Sequence, residues 1–144
     1  MLLAMRFWPP FLGAGIRIES VNETLTEIVV SMTLKERNRN FVGTHFGGNL
    51  YSMCDPWYMF MLMWKLGDRY VVWDQAAEIE FTKPGKGKVT AVFTLPMDRV
   101  EEILREAESG AKLLPEFRTT INDEAGDVVA NIRKVVYVRK KRDA

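Results

Sequence analysis

Between Asn38 and Trp64 a polar, glycine-rich lead-in (Asn40, Gly43, Thr44, His45, Gly47, Gly48) runs directly into an almost wholly apolar helical segment. Leu50, Met53, Cys54, Trp57, Tyr58, Met61, Leu62 and Trp64 cover that segment on nearly every side, so the helix has to be enclosed by the rest of the chain. It is the expected centre of the fold. One carboxylate, Asp55, interrupts the run. Such a group costs several kcal/mol among apolar neighbours unless it is paired, hydrogen-bonded, neutralised or open to water. Asp55 therefore has two readings, a functional carboxylate or a structural one satisfied by backbone donors or an arginine.

The flanking sequence supplies strands to do the enclosing. Ile16 and Ile18 share one face, as do Ile28, Val30, Met32 and Leu34, with Asn22 and Glu23 as the turn between them. After the helix, Val71, Trp73, Ala77, Ile79 and Phe81 alternate with Asp74, Ala76, Glu78, Glu80 and Thr82. Val89, Ala91, Phe93 and Leu95 continue the pattern, and the two strands are expected to form a hairpin over Pro84-Gly85-Lys86-Gly87. Asp98 followed by Glu101 looks like a helix start, Val100, Ile103, Leu104 and Ala107 form its apolar face, and Gly110 ends it. Leu113, Phe117 and Ile121, then Val128 to Val138 after a turn over Asp123 to Gly126, make a closing hairpin. The opening residues to Gly15 read as a short capping helix with Phe7, Trp8 and Phe11 as buried anchors. The order implies an antiparallel α+β layout, one sheet wrapped on one long helix, with residues 1–144 as a single domain.

Composition limits the function classes. The chain has 144 residues with 47 % hydrophobic and 27 % charged side chains, the balance of an ordinary globular protein. Twenty basic and nineteen acidic residues leave a formal charge of +1, which gives no reason to expect a nucleic-acid partner. The run Arg139 to Arg142 reads as a solvated tail. A single cysteine, Cys54, permits no intrachain disulfide, and a cytoplasmic location is the expectation. The apolar opening is broken by Arg6 and Pro9-Pro10, too short for the roughly 20 apolar residues of a membrane span, and no leader or membrane contact is expected.

Within the central helix, Gly48, Ser52, Asp55 and Met59 follow i, i+4, i+7, i+11 spacing and share a face. The helix start offers unpaired N–H groups and a positive dipole end, and Gly47 and Gly48 let a ligand approach the backbone closely. An acyl oxyanion could be stabilised there. Asp55 lies ~10 Å further along the axis, so it reaches the same bound group only from a partner subunit or along an extended ligand. Pro56 cannot donate to the helix ladder and should kink it just after the carboxylate.

Asn40 to Tyr51, Asp55-Pro56-Trp57-Tyr58-Met59 and Tyr70-Val71-Val72-Trp73-Asp74 resemble the hotdog-fold thioesterase superfamily, most specifically its group known as domain of unknown function 4442. The resemblance covers the chain from Ile16 to Val138. It is similar, more distantly, to the phenylacetyl-CoA type of hotdog thioesterase, which carries an asparagine, a His-Gly-Gly turn and a helix aspartate. That likeness implies Asp55 as nucleophile or general base, Gly48 as oxyanion N–H donor, and Asn40 as a group orienting water or thioester from across a dimer. His45, Phe46, Gly47, Ser52 and Met59 would then line the substrate site. The chain departs from the pattern in having Phe46 before the glycine pair, with its only histidine, His45, one residue early, and in following the aspartate with Pro56. His45 either points into the site or packs nearby.

Lys83, Lys86 and Lys88 read either as contacts for coenzyme A phosphates or as a solvated loop tip. Met53, Met59, Met61 and Met63 read as an acyl tunnel or as plain core, the latter being commoner. Cys54 reads as structural, since apolar surroundings and an adjacent carboxylate raise its pKa. One histidine and no carboxylates at metal spacing argue against a metal site, and no phosphate-cradling loop or dinucleotide fingerprint is present. The expectation is an acyl-CoA or related thioester hydrolase that needs no cofactor beyond the coenzyme A of its substrate. It would self-associate as a dimer or tetramer, because open sheet edges gain by pairing. A non-catalytic acyl-binding protein is the alternative. A hydratase on the same fold is weaker, because the helix Asp-to-His pair it needs is missing.

Overall fold

The computed structural model describes residues 2–142. A 3₁₀ turn over Leu2–Phe7 and helix α1 (Pro9–Ala14) lead into strands β1 (Ile16–Val21) and β2 (Glu27–Thr33). Helices α2 (Gly47–Ser52) and α3 (Trp57–Leu66) follow, then β3 (Tyr70–Phe81), β4 (Lys88–Thr94), α4 (Met97–Ala107), β5 (Glu116–Asn122) and β6 (Val128–Lys140). All six strands form one antiparallel sheet in the order β1-β2-β4-β5-β6-β3. No described helix is long and apolar enough to cross a membrane.

Helix α3 fills the hollow of this sheet with its broad apolar face, although Trp64, expected inside, is exposed at its end. Trp57, Tyr58, Met61 and Leu62 are buried against Ile28, Val30, Phe93, Ile121, Ile132 and Val136. Tyr58 stacks on Phe117 with ring centroids 4.7 Å apart and meets Phe93 edge-on at 5.5 Å, while Trp57 lies between Phe93 and Phe11. Burial also requires polar atoms to be satisfied. Trp57 Nε1 donates to the Met53 carbonyl at 2.7 Å and the Tyr58 hydroxyl donates to the Arg118 carbonyl at 3.0 Å.

The predicted single helix is two. Its regular ladder stops at Ser52, and the Cys54 and Asp55 N–H groups bond three residues back, to Tyr51 and Ser52. Pro56, with no N–H to offer, stands at the start of α3, where that lack costs nothing. The proline thus breaks the helix rather than bending it, and Asp55 sits in the break.

The β3–β4 hairpin does not form. β4 lies between β2 and β5, and β3 pairs only with β6. The Pro-Gly-Lys-Gly run is a crossover stitched to its surroundings: Thr82 N–H donates to Val129, Gly85 accepts from His45, and Gly87 accepts from Leu34. The facing of β3 also differs from simple alternation. A bulge between Asp74 and Ala76 shifts the register by one residue, so Val72 and Asp74 lie opposite the inward Val138 and Val136, whereas Ala77, Ile79 and Phe81 lie opposite Lys134, Ile132 and Ala130. Val71 and Trp73 consequently turn to the outer surface, where Trp73 stacks on Tyr137 at 4.4 Å.

Smaller expectations also change. Phe11 is buried, but Phe7 and Trp8 are exposed, and Met1 lies outside the described residues. Pro96 rather than Asp98 precedes α4, and Asp98 accepts from Arg99 N–H inside its first turn. Arg139 and Lys140 belong to β6 and are held by the Gly110 carbonyl and Glu108, so the basic run is only partly a free tail. Phe93→Ala should lower unfolding stability by about 3–5 kcal/mol, because it empties the space between Trp57 and Tyr58. Urea titration of the native and variant proteins measures this.

Candidate functional site

The break between α2 and α3 gathers a polar cluster inside an otherwise apolar region. Tyr51, one turn before Asp55, donates its hydroxyl to Asp55 Oδ1 at 2.7 Å. Lys134 Nζ reaches from β6 to the same oxygen at 3.2 Å, to the Tyr51 hydroxyl at 3.2 Å, and to Asp74 Oδ2 at 3.1 Å. The Lys134 side chain is fully buried and that of Asp74 is 21 % exposed, whereas Asp55 is 47 % exposed. The cluster opens to solvent at Asp55. Among the described residues no donor reaches Asp55 Oδ2.

Electrostatics inside the cluster follow from this gradient. Burial works against the Lys134 ammonium, but Asp74, the Tyr51 hydroxyl and Asp55 together outweigh it and hold its pKa above the ordinary lysine value. Burial pushes Asp74 up, an effect that Lys134 only partly offsets, and Asp74 Oδ1 is buried without a partner. Burial likewise raises the Tyr51 phenol, with the Asp55 hydrogen bond adding to it. Cys54, fully buried beside the cluster, has its thiol pushed far above the usual range by desolvation. It is an inert core residue.

The other predicted residues collect in the loop before α2. Asn40 closes that loop on itself: its Oδ1 accepts from the Val42 and Thr44 N–H groups, and its amide donates to Thr44 Oγ1. Gly43, at φ +82°, supplies the left-handed residue this turn requires. His45 is buried and bonds the Gly87 carbonyl through Nε2 at 2.9 Å, so Nε2 carries the proton and Nδ1 is left bare and unpartnered. A cleft of about 420 Å³ runs between this loop and the crossover, lined by Asn40, Thr44, His45, Gly47, Leu50 and Phe81 among others. Asp55 does not line it within one chain.

Gly47 and Gly48 open α2 with N–H groups that have no partner among the described residues. A Cβ at Gly48 would stand 2.7 Å from the Phe46 ring, and one at Gly47 would stand 3.0 Å from the Phe81 ring. Two half-exposed aromatic rings thus lie directly against the glycine pair at the helix start. Ser52 donates back to the Gly48 carbonyl at 2.8 Å, and Met59 is half-buried in α3. Met53 and Met61 are plain core, while Met63 is exposed. Lys83 is paired with Asp123 and Asp127 and Lys88 with Glu19, which leaves Lys86 as the exposed lysine of the three without an ion pair among the described residues.

Sequence reasoning missed Tyr51, Asp74 and Lys134 as site residues. The signal for Lys134 was present in β6, where Ala130, Ile132, Lys134, Val136 and Val138 share one parity, so that a lysine falls on the inward face. Asp74 was hidden by the bulge. Tyr51 lies four residues before Asp55, a spacing that brings side chains together on a helix.

An antiparallel sheet curled round one buried helix, with this strand order, is the hotdog fold. The chain belongs to the family described as Domain of unknown function (DUF4442), whose model matches residues 1–138. No curated protein matches it. Among solved structures it is similar to a Pseudomonas aeruginosa protein of unknown function described as a "probable thioesterase", with 20 % identity over 97 % of this chain and 95 % of that one, TM-score 0.82. It is similar to a thioesterase from Haemophilus influenzae at 17 % identity over 96 % and 88 %, TM-score 0.71. A Chlorobaculum tepidum protein of unknown function gives 15 % identity over 97 % and 91 %, TM-score 0.77.

His45 gives the loop a pH signature. Burial lowers its pKa from the ordinary 6.5. The unfolded chain therefore binds a proton that the folded chain resists, so its stabilising contribution is complete above about pH 6.5 and is lost as pH falls through the folded value. The unfolding midpoint in urea should fall between about pH 7.5 and about pH 5.5. His45→Gln should flatten that dependence.

Proposed function

We propose that this protein hydrolyses a thioester, an acyl-CoA or a close relative, with Asp55 as the acting carboxylate. The observation that carries the reading is the state of that side chain: Oδ1 is held by two donors, Oδ2 is free, and the residue opens to solvent from a break in the buried helix. The fold shared with proteins named thioesterases supports it. As general base, Oδ2 would take a proton from water while the water oxygen attacks the thioester carbonyl. The C–S bond then breaks and the thiolate leaves, collecting the proton. As nucleophile, the same oxygen would attack the thioester carbonyl and expel the thiolate to give an acyl anhydride, which water then cleaves to the free acid and the regenerated carboxylate, the water's proton passing to the thiolate. The Gly48 N–H would receive the oxyanion, and Asn40 would steady the loop that carries it. His45, Phe46, Gly47, Ser52 and Met59 would shape the acyl site, with Lys86 as the free cation for coenzyme A phosphates. A cytoplasmic setting fits such a substrate.

Because Asp55 and the glycine-pair cleft stand apart within one chain, the reading includes a dimer that brings one subunit's cleft to the other's carboxylate. Strand β3 favours this. It is a sheet edge of twelve residues with one side unpaired and with Trp73 and Phe81 about half exposed, an arrangement that pairing with a second copy would cover. A tetramer would be built from such dimers.

A second reading, an acyl-binding protein without turnover, is favoured by the Phe46 and Phe81 rings lying against the glycine pair where a carbonyl would have to approach. Free-thiol release from short, medium, long and aromatic acyl-CoAs separates the two. Turnover is expected, with a loss of at least about 100-fold in Asp55→Asn at equal folded concentration. Saturable binding without thiol release would establish the second reading. Sedimentation at micromolar concentration should show a dimer or a tetramer, and a monodisperse monomer would overturn the shared-site arrangement.

A further inference from the structure

Lys134 is an expensive residue for a core. Its inward neighbours on β6 are Ile132 and Val136, and its own side chain is wholly enclosed. Burying an ammonium with two carboxylates gives little net stability, and replacing such groups with apolar side chains of similar volume is often neutral or stabilising. Stability alone does not account for it. The geometry of its contacts is one-sided. Lys134 Nζ and the Tyr51 hydroxyl both fall on Asp55 Oδ1, at 3.2 and 2.7 Å, and none of the described residues binds Oδ2. Behind the ammonium, Asp74 Oδ2 holds it at 3.1 Å, and the Tyr51 ring lies 5.5 Å from it. Exposure rises along the chain of contacts from Lys134 at 0 % to Asp55 at 47 %.

We infer that Lys134, braced by Asp74, is the positioning residue for Asp55, fixing Oδ1 so that Oδ2 is the oxygen presented to the substrate or its attacking water. The inference rests on Asp55 being the acting carboxylate. Tyr51 is the second strut, and it fixes the rotation of the carboxylate about its own axis. A carboxylate with one oxygen tied at two points cannot swing its free oxygen away from a bound ester. The need is for a cation at that point, and the side chain that carries it matters only for placement.

Lys134→Ala and Lys134→Met, assayed beside the native protein and Asp55→Asn, test this. Both lysine variants should lose roughly 10- to 100-fold in kcat with KM within about threefold, the effect expected of losing a charge-assisted hydrogen bond to a reacting group. Added n-butylammonium should restore kcat of Lys134→Ala saturably, while sodium chloride at equal ionic strength should not. Lys134→Met, whose side chain fills the space, should be unresponsive, and it keeps the test open if the alanine variant does not fold. A kcat within about threefold of native in folded Lys134→Met would overturn the inference, as would a loss in folded Lys134→Ala that the amine leaves unchanged. If the native protein releases thiol from no substrate, the hydrolase reading falls by itself. The positioning contact is then decided by nuclear magnetic resonance of the Lys134 ammonium. A signal displaced by Asp55→Asn upholds the contact, and one left unmoved removes it.

Discussion

The enclosure of α3 is the constraint from which the rest of the structure follows. A helix whose Trp57, Tyr58, Met61, Leu62 and Leu66 must all leave water demands a sheet that curls over that broad face, and only Met63 and Trp64 of its apolar side chains are left exposed. All six strands stay in one sheet, and the crossover from β3 carries the chain from the sheet edge to an interior position between β2 and β5. The same enclosure makes any polar group near the helix costly. Tyr51, Asp55, Asp74 and Lys134 are tolerated because each satisfies another.

Pro56 decides where that polar group can be. A regular helix from Gly47 to Leu66 would keep Asp55 on a helical face, with its backbone N–H in the ladder. With no donor at Pro56 the ladder of α2 is not carried on into α3, and Asp55 is left in the gap between them, where its side chain meets water on one side and Lys134 of β6 on the other. The chain thereby places a carboxylate at a surface without removing the helix from the core.

How far this was legible in the sequence can be judged residue by residue. The alternation of β2 and β4, the β5–β6 hairpin and the apolar face of α4 are local patterns with periods of 2 or 3.6 and appear as read, while the apolar helical run is buried as read but divided between Ser52 and Trp57, with Trp64 left outside the core. The pairing of β3 with β6 is a long-range choice that no local pattern records, and the glycines of the crossover looked like a hairpin for that reason. The bulge near Gln75 erased the meaning of parity halfway along β3, so Trp73 was assigned inward and Asp74 outward, the reverse of the structure. In the candidate site, Asp55, the glycine pair and the loop residues were visible as odd residues in a patterned run. Lys134 was visible only to someone asking why a lysine sits in register with valines, and Asp74 needed the bulge to be known first.

That bulge gives β3 two different jobs on one strand. Before it, the inward residues Val72 and Asp74 serve their own chain, one packing on the core and the other holding Lys134. After it, Ala77, Ile79 and Phe81 lie on the inward side where α3 no longer reaches fully over them. A single slipped residue lets one continuous strand carry both the brace of the carboxylate cluster and a partly exposed stretch of the sheet edge.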